Sequence, residues 1–244
     1  MSITTISRLA TLAAFAFLAL VSGTVAETVV KVKIKCAICE EQYEATLTAS
    51  YTQLGQRLDL RPVGHLTSPP RIAVCPKCGF VDFRDGEMYP KDELKELRDF
   101  VLSDDYKKLV KTDTPYFRLA KIDERLKKPQ QEIAYRYLQA SWQVEEEKEK
   151  DRPKAYLLAA LDAYSKVIAD EAAPAAQRQI AGCLKGELLR RLGRFDDARK
   201  HFEEFRKLEA SKNEPYPRLI ELELDLIGKK DAEPHKIPAA KDEK

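Results

Sequence analysis

Two Cys-x-x-Cys pairs constrain the fold of this chain more than any other feature of its sequence. The first pair is Cys36 and Cys39, the second is Cys75 and Cys78, and 35 residues lie between them. A tetrahedral zinc site takes four donors, with each thiolate about 2.3 Å from the metal. Because each pair presents two thiolates from one turn, the four cysteines predict a structural zinc site that clamps the first part of the chain.

The residue that follows each pair differs. Gly79 follows Cys78 and can take a positive φ, which lets backbone N–H groups point at sulfur. Glu40 follows Cys39, so the first pair is expected to form the weaker half of the site. The spacing between the pairs also exceeds the roughly 15–20 residues that are common in zinc ribbons. Four nearby lysines are expected to offset the net charge of a four-thiolate site: Lys31, Lys33, Lys35 and Lys77.

Residues 1–26 have the three-part layout of a secretory signal peptide. One cation, Arg8, precedes an apolar run over residues 9–21, and Thr24, Val25 and Ala26 form an acceptable cleavage site. The run is shorter than the roughly 20 residues that a membrane-spanning helix needs. We therefore expect export by the Sec route to the periplasm or the extracellular space. Contact with a membrane is expected only if the leader is retained as an anchor.

Export leaves two alternatives to zinc open. Oxidation competes with metal capture outside the cytoplasm, so the four cysteines could form two disulfides, either across the pairs or within them. One pair could instead serve thiol-disulfide exchange, because a Cys-x-x-Cys motif can lower a thiol pKa. Redox pairs favour a helix N-terminus in a βαβ setting, whereas both pairs here follow or join predicted strands. The fifth cysteine, Cys183, lies within a predicted helix and is expected to be a small buried apolar residue.

The first part of the mature chain carries strand signals. Residues 28–36 alternate between apolar side chains and lysines, a period of two that predicts a half-buried strand. Residues 71–74 and 80–83 flank the second pair and predict the two arms of a hairpin. A strand and a long loop are expected between the pairs. Residues 27–90 are therefore predicted to form a cysteine-clamped, zinc-ribbon-like β module.

The period becomes helical after about residue 92. Six helices joined by short turns are predicted up to residue 227, and short turns favour antiparallel neighbours. The predicted fold class is thus mainly α with a small β unit, with residues 91–228 as the helical domain.

The acid-rich stretches 145–149 and 221–225 are interpreted as solvated faces. Arg190 and Arg191 form a basic helix end, a position where the helix dipole favours cations. Residues 229–244 are charged and contain prolines, which predicts a disordered tail.

One pair of helices contains a repeat motif. Six residues have the order and spacing of a tetratricopeptide (TPR) repeat: Gly186, Leu189, Gly193, Phe195, Ala198 and Phe202. Gly186 and Ala198 would let the two helices approach closely, Gly193 would permit the turn, and Phe202 would fill the groove against the next hairpin. This predicts a TPR-like hairpin over residues 175–210. A related hairpin over 130–170 has a longer turn without glycine, and an ordinary helical bundle remains the alternative.

The order of these motifs resembles an uncharacterised bacterial family. Its members join a zinc-ribbon-like start to TPR-like helices, and the layout matches over residues 30–227. The resemblance rests on the four paired cysteines, on Cys-Pro-x-Cys-Gly-Phe at 75–80 and on the segment 186–202. It implies metal binding by Cys36, Cys39, Cys75 and Cys78 and repeat-like helix packing, and it implies no activity. The leader is a departure from the cytosolic members expected in such a family.

Charge and the motifs found in the sequence argue against several classes of function. Loss of Arg8 with the leader reduces the formal net charge from +2 to +1, so no general attraction to nucleic acid or anionic lipid is expected. The three histidines are not spaced as metal ligands, no phosphate-binding glycine loop occurs, and no nucleophile, base and orienting group can be assigned. Four sulfur ligands would leave zinc no open position for catalysis.

These observations predict an exported, non-enzymatic scaffold. Its helical hairpins would offer a concave groove to a protein or peptide partner, and no nucleic acid is expected to bind. The alternatives are a thiol-disulfide redox protein, and the same scaffold with disulfides in place of zinc.

Overall fold

The structure is a computed structural model, and it describes residues 27–65, 69–82, 89–145, 147, 151–208 and 212–238. The predicted signal peptide, residues 1–26, and the end of the predicted tail, residues 239–244, lie outside the described residues. Within the described ranges, each helix is either too short or too polar to span a bilayer.

Three antiparallel hairpins form the β unit in the described part of the chain. They pair β1 (Thr28–Lys35) with β2 (Gln42–Ser50), β3 (Gly55–Gln56) with β4 (Pro62–Val63), and β5 (Ala73–Val74) with β6 (Val81–Asp82). The alternating pattern of residues 28–36 therefore did identify a strand. Each cysteine pair lies in the turn of a hairpin, the first between β1 and β2 and the second between β5 and β6.

The described residues contain eight helices, where the sequence predicted six. They are α1 (Lys91–Val101), α2 (Asp104–Thr112), α3 (Pro115–Arg125), α4 (Gln130–Gln143), α5 (Asp151–Ala169), α6 (Ala175–Arg191), α7 (Phe195–Phe205) and α8 (Tyr216–Gly228). The fold class, mainly α with a small N-terminal β unit, is confirmed.

Two helix starts account for the difference in number. The Ser103 hydroxyl accepts a hydrogen bond from the Tyr106 amide and starts α2, which divides the single helix that was expected over residues 92–110. Thr114 caps α3 in the same way, and Pro115 occupies its first position. Both are ordinary N-terminal signals that are present in the sequence.

The α6–α7 hairpin is built around glycines. A Cβ on Gly186 would lie 2.2 Å from the Phe202 ring, so only glycine lets this ring lie on α6. Phe202 thus packs within its own hairpin, and it shares a core cluster with Ile220 and Ile227 of α8. Gly193 has φ 72, and its amide and that of Arg194 bond the carbonyls of Arg190 and Leu189, which ends α6 in a Schellman motif.

The β unit and the helices share a hydrophobic core. One buried cluster contains residues of both cysteine turns together with helical residues such as Leu97, Tyr106 and Leu119. A second cluster lies within the helices, from Ala120 to Ile227. The first cluster spans residue 90, which the sequence analysis took as the boundary between two domains.

The prediction of a disordered tail is wrong for residues 229–238. Lys236 forms an antiparallel bridge with Arg57, and the Ile237 amide donates to the Gln56 carbonyl at 2.8 Å. The tail buries little side-chain area, but its backbone finds hydrogen-bond partners on the β3–β4 hairpin, and this orders it.

The prediction of solvated acidic faces is wrong for Glu223 and Glu145, which pair with arginines. Arg190 is fully buried, and its Nε donates to Glu223, which is only 3% exposed, at 2.9 Å. Glu145 accepts hydrogen bonds from Arg57 and Arg191. Burial opposes ionisation of Glu145, but the hydrogen bonds and charges of these arginines outweigh it and lower its pKa to about 2.

Candidate metal centre

The structure brings the four paired cysteines together. Their Sγ atoms all lie within 4.8 Å of one another. The Cys36 and Cys78 sulfurs are 3.6 Å apart, and those of Cys39 and Cys75 are 3.5 Å apart. Zinc–sulfur bonds of about 2.3 Å at tetrahedral angles place neighbouring sulfurs roughly 3.8 Å apart, whereas a disulfide needs about 2.05 Å. The four free thiols therefore form a cage of the size that a metal ion such as zinc requires.

The two turns that hold the sulfurs have the same backbone hydrogen bonds. We call residues 36–41 the first corner and residues 75–80 the second corner. In the first, the Cys36 amide donates to the Glu41 carbonyl and the Glu40 amide to the Cys36 carbonyl, at 2.8 and 3.0 Å. In the second, the equivalent bonds run from Cys75 to Phe80 and from Gly79 to Cys75, at 2.8 and 2.9 Å.

The residue after each pair takes the left-handed conformation. Gly79 has φ 72 and Glu40 has φ 60. A residue with a side chain pays about 1 kcal/mol for this conformation, whereas glycine does not. The first corner thus forms without the glycine that the sequence analysis looked for, and it carries a small local strain.

Backbone amides point at the sulfurs in both corners. The amides of Ile38 and Cys39 donate to the Cys36 sulfur, and those of Lys77 and Cys78 donate to the Cys75 sulfur. Such hydrogen bonds stabilise a thiolate, which is the form that binds a metal. The turns therefore orient the sulfurs and also favour their deprotonated state.

The thiols share protons when no metal is present. A hydrogen bond from the Cys78 thiol lowers the pKa of Cys36 to about 5, although burial opposes this. That same bond, together with burial, raises the pKa of Cys78, and burial raises the pKa of Cys75. Metal binding must therefore release protons from the cage, so its affinity falls as the pH is lowered.

The second corner is docked on the helices. The Gly79 carbonyl accepts hydrogen bonds from the Tyr106 hydroxyl at 3.0 Å and from Arg118 Nη1 at 2.8 Å. Phe80 is fully buried. A Cβ on Gly79 would lie 2.4 Å from Cγ2 of Val110, so α2 also packs directly against the turn.

The charges around the cage differ from the expected arrangement. Three of the lysines expected to offset the thiolates form exposed ion pairs with carboxylates: Lys31 with Glu44, Lys35 with Glu40, and Lys77 with Glu41. Arg118, only 5% exposed, is a buried cation whose guanidinium lies beside the second corner.

Sequence reasoning missed Tyr106 and Arg118 as supports of the site. The signal for Arg118 was a cation within the apolar stripe of α3, next to Leu119. A cation within an apolar stripe can be identified only once the helix is predicted, and the sequence analysis did not predict α3.

The remaining candidate residues lie outside the cage. Among the described residues, only the four paired cysteines form a group with metal-ligand spacing. His65 is exposed and does not join them. Cys183 is half-buried in α6, and burial raises its pKa to about 12, which makes its thiol unreactive.

Comparison with models of protein families matches residues 29–224 to the family described as "Uncharacterized protein conserved in bacteria (DUF2225)". The chain belongs to this DUF2225 family. The match covers both cysteine corners and most of the helices, so the resemblance seen in the sequence is confirmed. A search of curated proteins found no match, and a search of solved structures found none.

Proposed function

We propose that this DUF2225 protein is an exported, non-enzymatic scaffold in which a structural zinc ion clamps the β unit and the helices bind a protein or peptide partner. The observation that carries the proposal is the cage of four sulfurs within 4.8 Å of one another. The two matched corners and the amides aimed at sulfur support zinc as the ion.

The surroundings of the cage support a structural role. Cys36 and Cys75 are each 1% exposed, and the second corner is hydrogen-bonded to buried side chains of α2 and α3. Four thiolates would fill the coordination of zinc and leave no position for a substrate or a water molecule. The ion would therefore join the two corners and take no part in a reaction.

Disulfides remain the second candidate. The shortest sulfur distances connect the two corners, Cys36 with Cys78 and Cys39 with Cys75, so oxidation would favour disulfides across the pairs. Such bonds would staple the same β unit. They would also leave no dithiol within either Cys-x-x-Cys motif for exchange chemistry.

Recovery of the full chain from the exported fraction tests the proposal. We expect mass spectrometry to show a mature N-terminus at Glu27, and elemental analysis to give one zinc per chain. A chelator should remove the zinc and weaken β-sheet circular dichroism, because metal binding and folding are coupled in such sites.

Two cysteine variants provide the matched control. Cys78→Ser should lose zinc, whereas Cys183→Ser should keep one zinc per chain because Cys183 lies outside the cage. If the wild-type protein contains no metal and its four paired cysteines resist thiol reagents, the cysteines form disulfides and the zinc proposal is wrong. A leader that stays uncleaved on cytoplasmic protein would end the export part of the proposal.

A further inference from the structure

The chain covers one face of its own helices. The β3–β4 hairpin reaches this face through ion pairs of Arg57 with Glu145, just past α4, and of Asp59 with Arg191 of α6. Residues 231–238, which we call the terminal segment, lie beside the hairpin. Together the hairpin and this segment occupy a face to which α4, α6 and α8 contribute.

Arg190 links the terminal segment to the helices. Its Nε donates to Glu187 of the same helix at 3.0 Å and to Glu223 of α8 at 2.9 Å. Its Nη1 donates to the backbone carbonyls of Asp231 at 2.7 Å and Glu233 at 2.9 Å. The helices therefore fix a buried guanidinium so that one nitrogen faces two carbonyl oxygens of the terminal segment, two residues apart.

The terminal segment also forms an antiparallel β-bridge with the hairpin. The Leu58 amide donates to the His235 carbonyl at 3.0 Å, and the Ile237 amide donates to the Gln56 carbonyl at 2.8 Å. Lys236 lies opposite Arg57 between these two bonds. Recognition on this side is by main-chain hydrogen bonding, as in β-strand addition.

Side-chain burial contributes little to holding the terminal segment. None of residues 231–238 is fully buried, whereas Leu58 and Asp59 of the hairpin are 7% and 2% exposed. Segments with few buried contacts open locally much more often than a core does. The hairpin is thus a fixed part of the fold, and the terminal segment is the part that can leave.

A cavity of about 450 Å³ adjoins the terminal segment. Lys154, Leu157 and Arg191 line one side, and Ala232, Glu233 and Pro234 of the segment line the other. The groove therefore has room for a side chain larger than those that the chain places there. An open groove would also leave Arg190 Nη1 without its two carbonyls, which is costly for a buried donor, so exchange of one occupant for another is favoured over vacancy.

We propose that this groove is a peptide-binding site, that the terminal segment occupies it in cis, and that an extended segment of a partner protein binds by taking its place. The inference rests on the proposed partner-binding function and names the site and the ligand class. The ligand is a peptide that pairs in extended form with Gln56 and Leu58 and offers two carbonyls, two residues apart, to Arg190. Proline fits at the position of Pro234, where no main-chain donor is used.

A labelled synthetic peptide of residues 231–240, DAEPHKIPAA, tests the site on the full chain. Wild-type protein should bind it weakly, because the tethered segment competes at an effective concentration of about millimolar. Ile237→Pro deletes the amide that bonds Gln56 and should loosen the tethered segment. We expect this variant to bind the peptide at least tenfold more tightly than wild type in fluorescence anisotropy.

Lys236→Pro is the matched control. It introduces the same residue one position earlier, where the amide makes no main-chain hydrogen bond to the described residues. Its affinity for the peptide should stay within about twofold of wild type, because proline at such an edge position costs little. Equal affinities of the two proline variants would overturn the proposal.

Hydrogen exchange of the wild-type protein gives a second test that needs no variant. The Leu58 amide bonds the terminal segment, whereas the Arg57 amide bonds Arg61 within the hairpin. The proposal requires the Leu58 amide to exchange at least tenfold faster than the Arg57 amide. Equal rates would mean that the terminal segment and the hairpin open together, and the peptide-binding site would then be rejected.

Zinc content and unfolding by a chelator do not depend on residue 237. Failure of the peptide-binding proposal would therefore leave the scaffold proposal standing.

Discussion

The first and second corners have the same backbone conformation, but their surroundings differ. Both corners form the same two hydrogen bonds and a left-handed residue after the second cysteine. The first corner buries Ile38 and exposes Glu40, whereas the second exposes Lys77 and buries Gly79. The turn thus sets where the sulfurs point, and the neighbours decide how firmly each turn is attached to the rest of the molecule.

This difference assigns separate roles to the corners. The second corner receives hydrogen bonds from Tyr106 and Arg118, so the helices hold it independently of a metal. The first corner buries Ile38 in the core that it shares with the helices, and its ion pair to the second corner, Glu41 with Lys77, is exposed and contributes about 0–1 kcal/mol. We infer that a bound metal would be the main polar connection between the first corner and the helical part.

Metal removal should therefore separate the two corners, and this is the largest effect that we expect. After chelation, exchange of the Glu40 amide should accelerate by at least about 100-fold, because its turn loses its main tether. Exchange of the Gly79 amide should change by less than about tenfold. Nuclear magnetic resonance of the two amides, with and without zinc, measures both rates, and parallel acceleration would contradict separate attachment.

Outside the four cysteines, Gly79→Ala should be the most damaging single change in the turns. The new Cβ would meet Val110 at 2.4 Å and force a strained φ, which together cost about 3 kcal/mol in the free energy of unfolding. Denaturant unfolding measures this loss. Adding Val110→Ala removes the clash and should restore about half of it, leaving the strain of the left-handed residue. A Gly79→Ala protein as stable as wild type would show that the second corner is not tightly docked.

Removing one tyrosine hydroxyl group beside each corner compares how the two corners are held. Tyr106→Phe removes the donor to the Gly79 carbonyl and should destabilise the protein by about 1–2 kcal/mol. Tyr43 packs beside the first corner, and its buried hydroxyl finds no hydrogen-bond partner in the described part of the chain. Tyr43→Phe should therefore change stability by less than about 0.5 kcal/mol, or increase it. Thermal unfolding of both variants tests this order, and equal losses would contradict it.

The structural features of the two corners that depend on a few neighbouring residues could be predicted from the sequence. The spacing of the cysteines, the alternation in β1 and the glycine at position 79 each act over a few residues, so the turns and their strands could be inferred. The docking of the second corner depends on Tyr106 and Arg118, which lie 27 and 39 residues away. No local pattern specifies such contacts, and the helix starts at Ser103 and Thr114 had to be recognised first.

The terminal segment shows a second limit of sequence patterns. Its order comes from main-chain hydrogen bonds to Gln56, Leu58 and Arg190, and main-chain groups are the same in every sequence. The charges and prolines that predicted disorder describe its side chains only. The same reasoning explains Glu40, whose conformation is imposed by the cysteine turn against the preference of its side chain.

Glu40→Gly should give the smallest effect and the opposite sign to Gly79→Ala. Glycine removes the strain of φ 60, worth about 1 kcal/mol, but it increases the freedom of the unfolded chain and removes an exposed ion pair with Lys35. We expect a net gain of about 0.5 kcal/mol in the zinc-bound protein. After chelation the gain should vanish, because the first corner is then free to leave the left-handed turn. Unfolding with and without zinc measures the difference, and a gain that persists without metal would show that this corner keeps its turn by itself.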